Sequence, residues 1–336
     1  MQYGSNQVLT SLLRDVSRSF YLTLRVLPSS IRPQIGLAYL LARTADTIAD
    51  TDLLRVDERL AALRALRESI AGTSPAPQFH EWSKHQASVA EAALLSRYET
   101  SLELLRGLSV TDCKLVVEVL GTIIGGQELD LVRFGSESHE VRALQTAEEL
   151  DDYTYRVAGC VGEFWTKMCL AHLFASAQLD VAGLLARGIR FGKGLQLVNI
   201  LRDLPADLRK GRCYLPETQL RAKGLAPADL LEPRNEDRLR PVYDFYLEVA
   251  SEHLAAGWQY TNSLPRSGIR VRLACAWPLI IGRRTIDLLR QGRILDPGQR
   301  IKLSRREVKG VMWRSVLYYL WPARWNRLFQ GPCSTH

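Results

Sequence analysis

Histidine is scarce in this chain and cysteine is never paired, and these two shortages narrow its chemistry at once. The six histidines form no H-x-x-x-H and no Cys/His spacing, so a metal ion would fall to carboxylates, which favours a hard, oxygen-seeking ion such as Mg²⁺. The six cysteines (Cys113, Cys160, Cys169, Cys213, Cys275 and Cys333) contain no C-x-x-C and lie mostly in apolar text, which argues against a disulfide framework and suits a reducing compartment. No run of eighteen apolar residues occurs, so no transmembrane helix is expected. The opening "MQYGSNQVLTSLLRD" lacks the basic start and apolar core of a signal peptide, which makes a cytoplasmic location the expectation. Period-two alternation is rare, which argues against a sheet protein, and no G-x-G-x-x-G follows a strand pattern, which excludes a separate dinucleotide-binding domain. Runs of Lys and Arg are missing too, so the formal charge of +8 is not the mark of a nucleic-acid binder.

What is present is helical. Of 336 residues, 46% are hydrophobic, enough for a sizeable core, and they recur at three and four in "SVAEAALLSRYETSLELLRGL" (88–108) and "RPVYDFYLEVASEHLAAGWQYTNSL" (240–264). The spacing predicts an all-α protein of about eight to ten helices around a shared interior. Breaks rich in Pro, Gly or charge fall at 71–78, 205–219, 223–237 and 290–300; all are loop-sized, so a single domain over 1–336 is the simpler organisation. The tail at 305–330 turns basic and aromatic, a composition suited to peripheral contact with an anionic membrane surface, on the inner face of the membrane for a cytoplasmic protein.

Two stretches break the rule that buried helices are apolar. In "YLLARTADTIADT" (39–51), Tyr39, Arg43, Asp46 and Asp50 follow one another at offsets of four, three and four, one stripe of a helix whose other positions are Leu, Ala and Ile. In "LQLVNILRDLPADLRKGRCYLP" (195–216), Gln196, Asn199, Asp203 and Asp207 repeat the pattern with Arg202 beside them. The aliphatic neighbours predict that both helices carry D-x-x-x-D into the interior, where a carboxylate is costly unless paired or coordinating. Four acids facing one another would raise each other's pKa steeply without cations, and Mg²⁺ binds through one or two carboxylates plus phosphate oxygens, which points to a diphosphate substrate. Ordinary ion pairs, Arg43 with Asp46 and Arg202 with Asp203, are the alternative account of the same residues.

These stretches, with "VSRSFYLTLRVLP" (16–28) and "YTYRVAGCVGEFW" (153–165), resemble the squalene/phytoene synthase family in motif and order over roughly residues 10–290, and the bacterial squalene synthase type in particular. The resemblance implies an isoprenoid synthase helical bundle around a central cavity. It also implies head-to-head condensation of two farnesyl diphosphates through presqualene diphosphate, then reduction to squalene by NADPH. By resemblance Asp46, Asp50, Asp203 and Asp207 are metal ligands, and Arg43 and Arg202 lie beside the diphosphates. Ser17, Ser19 and Phe20 meet the diphosphate and the reacting carbons, Tyr39, Gln196, Asn199 and Arg212 line the site, and Tyr153 handles the proton at cyclopropane closure. "ACAWPLIIGRR" (274–284) and "KLSRREVKGVM" (302–312) resemble later squalene synthase segments, which leaves Lys302 and Arg305 as the NADPH-phosphate contacts, beside a Gly/Pro loop from Gly292 to Gly298 expected to close over the cavity.

The pattern is not complete. Ala49 and Ala206 stand where animal relatives carry glutamate, and Leu279 and Ser304 stand where polar or basic residues are expected. Pro205 removes a helical N–H, so the helix is expected to end or kink near Leu204 and displace Asp207. Other products of the same first step (presqualene diphosphate, hydroxysqualene, dehydrosqualene or phytoene) remain open, as does a non-catalytic prenyl-lipid-binding protein.

Overall fold

The computed structural model describes residues 12–16, 20–51, 54–83, 86, 88–135, 140–296, 298 and 301–330. It is all-α, as the spacing predicts, and more finely divided than eight to ten helices because short ones punctuate the loops. Cys113, Cys160 and Cys213 are free thiols. No helix among the described residues is long and apolar enough to cross a membrane. The chain divides into two compact units, residues 1–136 with 164–176, and 137–163 with 177–336.

The first unit contains α1 (Phe20–Val26), α2 (Arg32–Asp50), α3 (Val56–Ala71), α4 (Val89–Ser96), α5 (Tyr98–Arg106) and α6 (Val110–Phe134). Pro33 in the first turn of α2 costs no hydrogen bond, and Leu37, Leu40, Leu41 and Ile48, each 0–2% exposed, turn one side of the helix onto α3 and α6. Each such burial stabilises by roughly 1.5–3 kcal/mol. In α6 the Ser109 side chain caps the start by accepting from Asp112 N–H at 3.1 Å. Asp112 is itself buried; burial works against its charge, yet bonds from His172 at 2.7 Å and Gln34 at 3.2 Å hold its carboxyl below the usual range.

The second unit contains β1 (Arg142–Ala143), α7 (Ala147–Thr154), the start of α8 (Cys160–His172), α9 (Val181–Leu208), β2 (Arg212–Cys213), α10 (Glu236–Ser263), α11 (Ile269–Gln291), α12 (Arg305–Tyr318) and α13 (Pro322–Gln330). β1 and β2 pair in parallel, Arg142 with Arg212. A π-helical turn, Tyr155–Gly159, joins α7 to α8. α8 lies so close to α9 that a Cβ on Gly162 would fall 1.9 Å from the Gly188 carbonyl oxygen. Asp180 starts α9 by accepting from Gly183 N–H at 2.9 Å. At the C-terminal end Trp258 of α10 stacks on Trp325 and Phe329 of α13, at 5.2 and 5.1 Å between ring centres.

Candidate active site

On α2 the aliphatic side is enclosed, and Tyr39, Arg43 and Asp46 are only half-buried, with Asp50 exposed in the last turn. The expectation of acids carried into the interior is corrected here. An ionised carboxylate loses too much hydration when fully enclosed, so the helix rolls its Leu and Ile side inward and leaves the acids at the rim. Arg43 reaches Glu91 of α4 at 2.8 Å and Asp46 at 3.6 Å, and Gln127 of α6 donates an amide N–H to Asp46 Oδ1. Lost hydration pushes the Asp46 carboxyl up to about 6; Arg43 and the Gln127 bond oppose the shift and the Asp50 charge adds to it. The side chain keeps 44% of its surface open, so water still screens part of that cost.

That row is short of positive charge, and its oxygens are the hard donors Mg²⁺ takes, so the residues fit the ion. Among the described residues no three His, Cys, Asp or Glu side chains gather at one point. An ion held by Asp46 and Asp50 would therefore complete its shell with oxygens from water and substrate.

On α9 the same arrangement recurs. Leu197, Val198, Ile200, Leu201, Leu204 and Leu208 turn inward, Gln196, Arg202, Asp203 and Asp207 are half-buried, and Asn199 is exposed. Arg202 grips Asp203 with two bonds, Nε to Oδ1 at 2.9 Å and Nη2 to Oδ2 at 2.5 Å. Those bonds, against burial and together with the charges of Asp203 and Asp207, hold the guanidinium above its ordinary value.

The expected break at Leu204 does not occur: α9 continues through Pro205 to Leu208, so Asp207 follows Asp203 by one helical turn. Pro205 cannot donate to the Leu201 carbonyl four residues back, and that carbonyl instead accepts from the Tyr243 hydroxyl of α10 at 2.9 Å. Tyr243 is 0% exposed, and burial pushes its phenol well above the ordinary value, Arg240 opposing, so it stays a donor.

Tyr153 sits in the last full turn of α7, 8% exposed, its ring stacked on Tyr214 at 4.7 Å between centres and 20° between planes. Two residues later the backbone enters the π-helical turn, a local irregularity frequent at functional sites. Arg212 is half-buried in β2. Ser17 and Ser19 lie outside the described residues; Phe20 opens α1, and its side chain lies outside them too.

Lys302 and Arg305 are both exposed. Ser304 caps α12 by accepting from Glu307 N–H at 3.3 Å, and Leu279 is a 0% exposed core residue of α11, so both departures from the expected pattern have structural roles. The first half of the Gly292–Gly298 loop is tied down: Arg240 donates to the Gly292 carbonyl, and buried Glu236 accepts from Ile294 N–H at 2.9 Å and Leu295 N–H at 3.3 Å. Gly292, Ile294 and Leu295 are thus tied to α10 in this half of the loop.

Sequence reasoning missed Glu91, Gln127, Tyr214 and Tyr243. Only Gln127 left a local sign, a polar "QELD" following Gly125 and Gly126 inside an otherwise apolar helix.

Comparison with known proteins identifies relatives of the chain. The chain is 29% identical to the bifunctional lycopene cyclase/phytoene synthase of Blakeslea trispora over 62% of its own length and 32% of that protein. It spans about a third to a half of the length of the first such bifunctional relatives. It is 27% identical to the presqualene diphosphate synthase of Sinorhizobium fredii, covering 89% of this chain and 93% of the other. The fold matches the TcSQS complex with the ligand BPH1237 at a TM-score of 0.78 and 20% identity, over 97% of this chain and 89% of that one. The squalene/phytoene synthase family profile matches residues 13–307, most of the sequence, and the chain belongs to that family.

Proposed function

We propose that the protein is a prenyltransferase that joins two molecules of farnesyl diphosphate head to head, through loss of one diphosphate, to give presqualene diphosphate. The observation that carries this reading is the pair of D-x-x-x-D rows on α2 and α9, each on the half-open side of an otherwise enclosed helix with an arginine beside it. Bound Mg²⁺, held on α2 by the carboxylates of Asp46 and Asp50 and on α9 by those of Asp203 and Asp207, each row by itself, would neutralise departing diphosphate. Arg43 on α2, and Arg202 with Arg212 in the second unit, supply positive charge for diphosphate oxygens beside their own rows. Breaking the C1–O bond of one substrate leaves an allylic cation; the double bond of the second attacks it, and loss of one proton closes the cyclopropane. In this reading the Tyr153 phenol guides that proton to a diphosphate oxygen, and Ser17, Ser19, Phe20, Tyr39, Gln196 and Asn199 line the substrate path.

Reduction onward to squalene by NADPH is the second reading, supported by the exposed cations Lys302 and Arg305 near the start of α12. The full-length relatives named presqualene diphosphate synthase, and the structural roles of Leu279 and Ser304, favour the shorter reaction. Mass analysis after incubation with farnesyl diphosphate and Mg²⁺, with and without NADPH, separates the two. The shorter reaction yields presqualene diphosphate in both incubations, and the longer one yields squalene only with NADPH. Asp46→Asn and Asp203→Asn should each abolish substrate consumption while the circular dichroism spectrum stays helical; near-normal consumption in either folded variant overturns the proposal.

A further inference from the structure

We propose that one face of α12 and the turn after it is a docking surface for an anionic lipid bilayer. Trp313, Val316 and Leu317, at offsets of three and one, share one side of α12, Leu320 and Trp321 follow in the turn after it, and the five are exposed by 75, 53, 53, 77 and 49%. This is not the side by which α12 packs. Val311 and Ser315 are 0% exposed, and Trp277 of α11 donates its indole N–H to Ser315 Oγ at 2.8 Å. A helix already seated by one side carries a second apolar side into water, and a contiguous exposed row of this kind marks a surface that something covers.

The rim identifies what covers it. Arg305, Arg306, Lys309, Arg314, Arg324 and Arg327 are all exposed, and Glu307 is the one acidic residue between 305 and 330, so this short segment carries a surplus of five of the chain's eight net positive charges. Two copies of the same face would bring those cations against each other, whereas anionic headgroups complement them. The apolar row begins and ends in tryptophan, and Arg324 lies over the rings of Tyr318 and Trp321 at 5.6 and 5.9 Å, the mixture of aromatic and cationic groups that sits at headgroup depth. Residues 313–321 would span about 12 Å as helix, far short of a bilayer core of about 30 Å, so the segment lies along the surface. It is held in place beforehand: Trp325, Leu328 and Phe329 of α13 are buried, Trp325 donates to Asn262 at 2.9 Å, and Tyr319 donates to the Arg266 carbonyl at 2.6 Å. The surface stands on this geometry and does not depend on which reaction the protein catalyses.

The test uses the full chain with vesicles of phosphatidylcholine alone and of phosphatidylcholine with phosphatidylglycerol, read by co-sedimentation at low and high salt. Binding to the anionic vesicles, weakened by salt, is the expected result. Trp313→Ser/Leu320→Ser should weaken it by about tenfold or more, and Arg314→Gln and Arg324→Gln by about fivefold each. All four residues are exposed, so the circular dichroism spectrum should not change. Failure of the wild type to bind anionic vesicles, or binding by both sets of variants at wild-type strength, overturns the proposal. So does a wild-type dimer in sedimentation equilibrium that Trp313→Ser/Leu320→Ser dissolves while vesicles are ignored, which would assign the face to a second copy.

Discussion

Tyr243→Phe removes one oxygen atom from a fully enclosed side chain and should do far more than that suggests. The Leu201 carbonyl is barred from its ordinary helical donor by Pro205 and accepts from the Tyr243 hydroxyl at 2.9 Å. Without that hydroxyl a buried acceptor is left unsatisfied, at a cost of about 1–3 kcal/mol, or roughly 2–10 °C in Tm. Pro205 provides a sharper test. Pro205→Ala restores an N–H aimed at the same carbonyl, so Tyr243→Phe should cost much less in that background, with a coupling of about 1 kcal/mol or more in the double-mutant cycle. Turnover should follow the same order, because the turn from Asp203 to Asp207 contains the unbonded step: reduced in Tyr243→Phe and recovered when Pro205→Ala is added. Urea unfolding and farnesyl diphosphate consumption for the four proteins supply the cycle. Equal cost of Tyr243→Phe in both backgrounds would refute the reasoning and reduce Tyr243 to ordinary core packing.

The Asp46 carboxyl, raised to about 6, takes up a proton on folding between the ordinary value of 3.8 and that pH, so its contribution to stability is lost as pH rises through this window. Asp46→Asn should therefore raise Tm relative to wild type at pH 8, with the gap closing as pH falls through about 6 towards 4; a lower Tm for the variant at pH 8 contradicts the shift. Gly162→Ala would drive a methyl to 1.9 Å from the Gly188 carbonyl oxygen, backbone that cannot step aside, and should cost at least about 3 kcal/mol in thermal or urea unfolding. Gly121→Ala, where a Cβ meets nothing within 4 Å, should instead stabilise α6 by about 0.5–1 kcal/mol, and the same unfolding measurements check both.

The rows on α2 and α9 were legible because each is a local pattern: offsets of three and four among aliphatic neighbours show which residues share a side, whatever packs against it. The direction of those rows was not, since burial depends on hydration costs and on partners far along the chain. Gln127, which donates to Asp46, is 81 residues away in sequence, and Tyr243, which rescues the step at Pro205, is 42 residues from Leu201. A single-residue rule about proline therefore gave the wrong end for α9, because the missing donor came from another helix. The tail shows the same division. Its composition announces aromatic and basic character, yet only packing separates Trp325, at 2% exposure, from Trp313, at 75%.

The arginines beside the acidic rows are already engaged. Arg43 holds Glu91 at 2.8 Å, and Arg202 holds Asp203 through two bonds. An arriving anion finds no idle guanidinium; it must displace a carboxylate from each. At each arginine a singly charged visitor offers little more than the carboxylate it would replace, whereas a group with several oxygens and several charges can displace it. Internal pairing thus acts at each arginine as a threshold on charge number that chloride or a lone carboxylate does not clear, and it leaves each arginine a fixed partner to return to.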